Sequence, residues 1–92
     1  MAPMITDGEQ IKTLYEQCAR EECRRRKGAQ SGDSWLEARQ IFAFPVHHIR
    51  GAFTYHPELG QGVWFRLIDG SIWDHQGYRS SDLTEADFNG TE

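Results

Sequence analysis

Ile11, Leu14, Tyr15 and Cys18 follow one another at i, i+3, i+4 and i+7, the spacing of a single apolar stripe on an α-helix. The stripe predicts a long helix over roughly residues 7 to 27. Two capping boxes compete for its start, Thr6 with Glu9 and Asp7 with Gln10. Gly28 is a natural stop at its other end. Carried on at the same period, the stripe meets Glu22 and Arg25. The last two turns are therefore polar all round and are expected to project beyond the core.

Beyond the helix, residues 28–33 (Gly-Ala-Gln-Ser-Gly-Asp) read as a flexible connector. Ser34 followed by Glu37 is a second capping box and predicts a short helix from Trp35. Gln40 to Phe44 either continues that helix or opens a strand, and Pro45 disfavours helical geometry at Phe44. From His48 the period becomes two: Ile49, Gly51, Phe53 and Tyr55 alternate with Arg50, Ala52, Thr54 and His56, as in a half-buried strand. A loop over Pro57 to Gly62 follows. Val63–Ile68 and Ser71–Gln76 then flank Asp69-Gly70, a strong hairpin signal. Ser80 to Phe88 is expected to add a helical turn or two, with Thr84 as a cap. Residues 1–5 and 89–92 are expected to fray. The fold class is α+β: one domain over 1–92, with a long N-terminal helix packed on a three- or four-stranded antiparallel sheet.

A two-residue turn at Asp69-Gly70 sets the hairpin register. Leu67 then faces Ile72, Arg66 faces Trp73, Phe65 faces Asp74 and Trp64 faces His75. One face carries Val63, Phe65, Leu67 and Ile72 and suits a core under the helix. The other carries Trp64, Arg66, Ile68, Trp73 and His75, with Arg66 placed to stack on Trp73. Two readings of this second face are open. It is an exposed hot spot for a partner, or it is a second core surface covered by the tail.

Composition narrows the class. The chain has 92 residues, of which 38% are apolar, with three Trp, three Tyr and five Phe supplying large buried surfaces. No run of about 18 apolar residues occurs and the N-terminus lacks the shape of a signal peptide, so a soluble, cytoplasmic protein is expected. The formal charge of −4 argues against broad, nonspecific DNA affinity, which needs many phosphate contacts. Cys18 and Cys23 lie about 140° apart around the helix axis and cannot bridge each other within it. Both are expected reduced, with Cys18 buried on the stripe and Cys23 the more accessible.

Charge is nevertheless concentrated. Arg20, Arg24, Arg25, Arg26 and Lys27 fall within residues 20–27, half of the chain's ten basic residues. Glu16–Arg20, Glu21–Arg25 and Glu22–Arg26 sit at the favourable i, i+4 order, and basic residues also suit a helix C-terminus. Helix physics absorbs most of the cluster. What is left over is Arg24 and Lys27, with Arg20 beside them, opposite the apolar stripe. They form either a solvated face or a contact for an anionic partner.

No catalytic set, metal site or cofactor motif is expected. His48 and His56 are roughly 26 Å apart along an extended strand, and neither cysteine has zinc-ligand spacing. The stretch Pro45-Val46-His47-His48-Ile49-Arg50-Gly51 resembles the His-His start of the HNH nucleases. That resemblance implies His48 as general base and His47 beside the metal. The family also expects an Asn and a further His on a following helix, whereas the one Asn here is Asn89 and His75 falls in a predicted strand.

In whole-chain length and make-up the sequence is similar to the small inhibitors that phages encode against host machinery, above all anti-CRISPR proteins acting on type I surveillance complexes. The resemblance implies a non-enzymatic protein that binds a bacterial ribonucleoprotein complex (Cas subunits, with guide RNA a further contact) and blocks recognition of target DNA. It implies no membrane and no small-molecule substrate. The residues expected to bind the partner are Arg20, Arg24, Lys27, Trp64, Arg66, Trp73 and His75. An adaptor or homodimeric interaction module is the alternative, and an HNH-like metal-dependent nuclease the second.

Overall fold

A computed structural model describes residues 4–28 and 33–88. The expected fraying of residues 1–3 and 89–92, and most of the connector after Gly28, lie outside the described residues. Along the chain run α1 (Gly8–Lys27), α2 (Trp35–Ala38), a 3-10 turn (Val46–His48), β1 (Ile49–His56), β2 (Gly60–Leu67), β3 (Ile72–Asp74) and α3 (Glu85–Phe88). The three strands form one antiparallel sheet in the order β1-β2-β3. This is the expected α+β arrangement of a long N-terminal helix on an antiparallel sheet.

Of the two capping boxes, Asp7 is the one used. Its carboxylate accepts the N–H of Gln10 at 3.1 Å. Ser34 caps α2 by accepting from the N–H of Glu37 at 3.3 Å. The segment between α2 and Pro45 is neither helix nor strand but a series of bends that drive Phe42 and Phe44 into the core. Met4 and Ile5 are not frayed. Ile5 exchanges both backbone hydrogen bonds with Ala52, at 2.8 and 2.9 Å, and so occupies part of the outer edge of β1.

Tyr15 stands at the centre of the helix-side core. It is 3% exposed, and its ring meets Trp35, Phe42, Phe44 and Phe65 edge-on at 5.4 to 6.3 Å. Its hydroxyl donates to the carbonyl of Phe44 at 2.7 Å. The irregular segment thereby gains one fixed polar anchor inside an aromatic cluster. Burial raises the Tyr15 pKa above its ordinary value and keeps the hydroxyl a donor. Gly77 admits Phe42 to this cluster. Its φ is +86°, and a Cβ there would lie 2.4 Å from the Phe42 ring.

The hairpin register differs from the expected one by a single residue. Leu67 bonds to Ser71, its N–H reaching the Ser71 carbonyl at 3.0 Å, and Gly70 donates to the Leu67 carbonyl at 2.9 Å. Three residues, not two, therefore form the loop. The loop is closed by a glycine at positive φ (+89° at Gly70), as in a common three-residue hairpin connection. Asp69 holds it, accepting from the Ser71 N–H at 2.9 Å and hydroxyl at 2.6 Å. Arg66 consequently faces Ile72, Phe65 faces Trp73 and Trp64 faces Asp74. Each side chain of β3 changes faces relative to the expectation.

Two cores result. The helix-side core contains Tyr15, Phe42, Phe44, Ile49, Ala52, Phe65 and Leu67, with Trp73 packed against it. Trp73 lies 5.1 Å from Phe44, and its indole N–H donates to the Ser71 hydroxyl at 2.8 Å. The opposite face holds Phe53, Trp64 and Ile72 under Phe88 of α3. A register shift between Ile49 and Gly51 leaves Arg50 as an extra residue, so Ile49 and Ala52 share the helix side while Phe53 turns away from it. The expected common face of Ile49 and Phe53 is broken there. The polar half of α1 does not project either: Ala19, Glu22 and Cys23 are all buried. Both cysteines are free and buried, so Cys23 is not the accessible thiol that its angle implied.

Tyr15→Phe is expected to lower stability by about 1–3 kcal/mol, because it leaves the buried Phe44 carbonyl unpaired. Gly77→Ala should cost more, through both strained backbone and the clash with Phe42. Urea denaturation of the two variants measures this. A Gly77→Ala protein as stable as the parent would contradict the packing described.

Candidate partner-binding surfaces

The last two turns of α1 carry the basic cluster, and its members have different duties. Arg25 and Arg26 both clamp the carboxylate of Glu22, whose side chain is 4% exposed. Arg25 contributes an Nε–Oε1 bond at 3.0 Å and a second contact through its terminal nitrogen. Arg26 also donates to the Gln76 carbonyl at 3.1 Å and lies over the Tyr78 ring at 5.3 Å. The two guanidiniums, Arg25 first, hold the Glu22 carboxyl below the usual carboxylate range although burial pushes the other way. These two arginines are structural. They pin the end of α1 to the turn that leaves β3.

Arg20, Arg24 and Lys27 remain, spaced i, i+4, i+7 along one helix face. Arg20 stacks over the Trp35 ring at 5.6 Å and donates to the Asp33 carbonyl at 3.2 Å. Lys27 pairs with Glu37 of α2 at 3.6 Å, both side chains being well exposed. Arg24 is exposed and makes no ion pair among the described residues. The expected Glu22–Arg26 pair forms, while Arg25 turns to Glu22 and not to Glu21. The helix dipole already favours cations at this end. An anion arriving here meets Arg24 directly and finds Lys27 held only by a screened surface pair.

The aromatic face is divided. Trp64 is 8% exposed and lies 5.2 Å from the Phe88 ring, which itself stacks on Phe53 at 4.3 Å. Arg66 shares that sheet face, but it faces Ile72 and forms an ion pair with Glu85 of α3 at 3.1 Å, without the alignment of a hydrogen bond. Trp73 belongs to the other face, and His75 is exposed beyond the end of β3. The expected common surface of Trp64, Arg66, Trp73 and His75 does not form. The one-residue change in the turn moves Trp73, and α3 covers Trp64.

His47 and His48 are exposed in the 3-10 turn, with ring centroids 4.7 Å apart. Among the described residues, no three His, Cys, Asp or Glu side chains are grouped to hold a metal ion. Burial, with Glu21 and Asp74 nearby, pushes the Cys18 thiol up to about 12, so the thiolate is scarce at neutral pH. No helix among the described residues is long and apolar enough to cross a membrane.

Glu22 is the residue that sequence reasoning missed, although the apolar period pointed straight at it. A carboxylate on the buried stripe with arginines three and four residues later is the sign of an internal clamp. Arg20 over Trp35 had no such sign, because the two are separated by the connector. Comparison with protein-family models, curated proteins and solved structures finds no match to this chain.

The clamp has a pH signature. The folded carboxyl of Glu22 lies below its unfolded value of about 4.3, so its stabilisation is present above that value and is lost as pH falls through the folded one. Glu22→Gln should cost about 1–3 kcal/mol at pH 7. The gap to the parent should narrow as the pH drops below about 4. Thermal melts across pH 2 to 7 test this, and a gap independent of pH would contradict it.

Proposed function

We propose that this chain is a non-enzymatic binding protein of the bacterial cytoplasm that docks on a CRISPR-type nucleoprotein complex and blocks its recognition of target DNA. The observation that supports the reading best is Arg24. It is an exposed guanidinium on a 20-residue helix, between Arg20 and Lys27, with no ion pair among the described residues. Arg25 and Arg26, held on Glu22, tie down the helix end, so binding would order the remaining side chains and not the backbone beneath them.

A guanidinium matches phosphate or carboxylate in two-pronged geometry. In a chain of net charge −4, a local basic face favours one oriented contact over indiscriminate coating of nucleic acid. The anion is a guide-RNA backbone or an acidic patch on a Cas subunit. Binding is stoichiometric and calls for no cofactor and no substrate. The Trp64 face does not contribute while α3 covers it.

Charge reversal at Arg24 and Lys27 tests the contact. The Arg24→Glu/Lys27→Glu protein should bind the guide-loaded complex at least tenfold more weakly while melting within a few degrees of the parent. If phosphates are the target, the slope of log affinity against log salt should also fall, by about one per lost contact. Unchanged affinity and slope would return the cluster to a solvated helix face.

A further inference from the structure

One side chain joins the β1–β2 turn to α3. His56, the last residue of β1, is 4% exposed. Its Nδ1 accepts two backbone N–H groups of the turn, from Glu58 at 3.0 Å and from Leu59 at 3.1 Å. Its ring also supports α3: Phe88 packs against it in a T-shaped contact at 4.9 Å, with Trp64 at 6.0 Å. Turn and helix therefore rest on one imidazole.

That imidazole can hold both only while it is neutral. Two N–H donors occupy the Nδ1 lone pair, so the ring proton sits on Nε2. A second proton has one place to go, Nδ1, where it would meet both donors head-on. Nε2 is buried and has no hydrogen-bond partner. A charged ring would thus have an acceptor at neither nitrogen, which is costly in a buried site. Acceptors lie just outside. Glu58 on the turn, Asp82 before α3 and Asp87 within it line the cleft that His56 also borders. On the same face, Arg66 of β2 and Glu85 of α3 are paired with each other at 3.1 Å.

We propose that His56 is a proton-operated latch: neutral, it locks the turn and α3 onto the sheet, and proton uptake releases both. The imidazolium swings out to the cleft carboxylates, and the Glu58 and Leu59 N–H groups turn to water. Phe88 then lifts from Phe53 and Trp64, on which it now packs. The rest of the fold stays closed, because the helix-side core and the Glu22 clamp use none of these residues. Opening that takes up one proton grows as pH falls below the ordinary imidazole value of about 6.5, by up to tenfold per pH unit. The latch is independent of the contact proposed at Arg24 and Lys27, and its failure would leave that contact untouched.

Amide hydrogen exchange of the ¹⁵N-labelled protein between about pH 7.5 and 5, corrected for intrinsic rates, tests it; ordinary carboxylates stay largely ionised over that range. Protection of the Glu58, Leu59 and Asp87 amides should fall towards tenfold per unit below about pH 6.5, while Tyr15 and Phe65 keep theirs. His56→Asn retains an acceptor for the same two N–H groups, as in an Asx turn, but takes up no proton. It should abolish the pH dependence. His47→Gln/His48→Gln/His75→Gln replaces three exposed histidines and leaves His56 alone. It should retain the dependence in full, and it decides the matter should the Asn protein fail to fold. Protection at the turn and α3 that is constant with pH, or a dependence lost in the triple variant, would overturn the latch. So would a dependence that survives in His56→Asn, or a parallel loss at Tyr15 and Phe65.

Discussion

The hydroxyl of Tyr15 and the carbonyl of Phe44 meet in the middle of an otherwise apolar core. Residues 42–45 lie in neither helix nor strand, yet two phenylalanines must enter the core from them. One hydrogen bond from a rigid helix supplies a fixed point for that segment. Phe42, Phe44, Phe65 and Trp35 are then arranged around the same ring, edge against face. Gly77 leaves space for Phe42, so the turn after β3 is tied to the same centre. The Glu22 clamp repeats the principle at the end of α1. A buried polar group is tolerated because two arginines satisfy it, and one of them reaches Gln76 on that same turn.

The other side of the sheet is closed by much less chain. A single helical turn, α3, brings Phe88 onto Phe53 and Trp64, and Glu85 to Arg66. Four residues thereby hide what would otherwise be a large aromatic patch, the kind of surface that draws partners or aggregates. Charge is concentrated at the margins of the fold: cations along the final turns of α1, and carboxylates on the turn and tail beside His56. In the proposed binding mode Arg24 meets an anion, while Glu58 and Asp82 carry the opposite charge elsewhere on the surface. Opposed local charges of this sort fix orientation as well as attraction.

Much of this fold was legible in the chain. Ser34 with Glu37 announced the start of α2, and Asp7 with Gln10 was one of two adjacent candidates for that of α1, because a capping side chain acts on the backbone three residues away and needs no tertiary context. The apolar stripe located α1, and the change to period two located β1. The failures were non-local or turned on a single residue. Asp69-Gly70 serves equally well in a two-residue or a three-residue loop, and the choice inverts every side chain of β3. The extra residue at Arg50 breaks a periodicity that looked regular. Burial of Cys23 and Glu22 depends on segments that reach α1 from far along the chain. For the site, the cluster at residues 20–27 was visible at once. Which of its members are committed to Glu22 depended on packing, and His56 could not be singled out before the turn that engages its Nδ1 was known.

The separation of Trp64 from Trp73 decides whether the sheet is covered on both faces, and with it whether binding belongs at the charged margins or on the aromatic hairpin. Nuclear Overhauser contacts from the two indoles measure it directly in the free protein. Trp64 protons should show contacts to the Phe88 ring and none to Tyr15 or Phe44. Trp73 should show contacts to Phe44 and none to Phe88. Contacts from both indoles to one another's neighbours, or Trp73 to Phe88, would restore the two-residue turn and return Trp64, Arg66 and Trp73 to a single face.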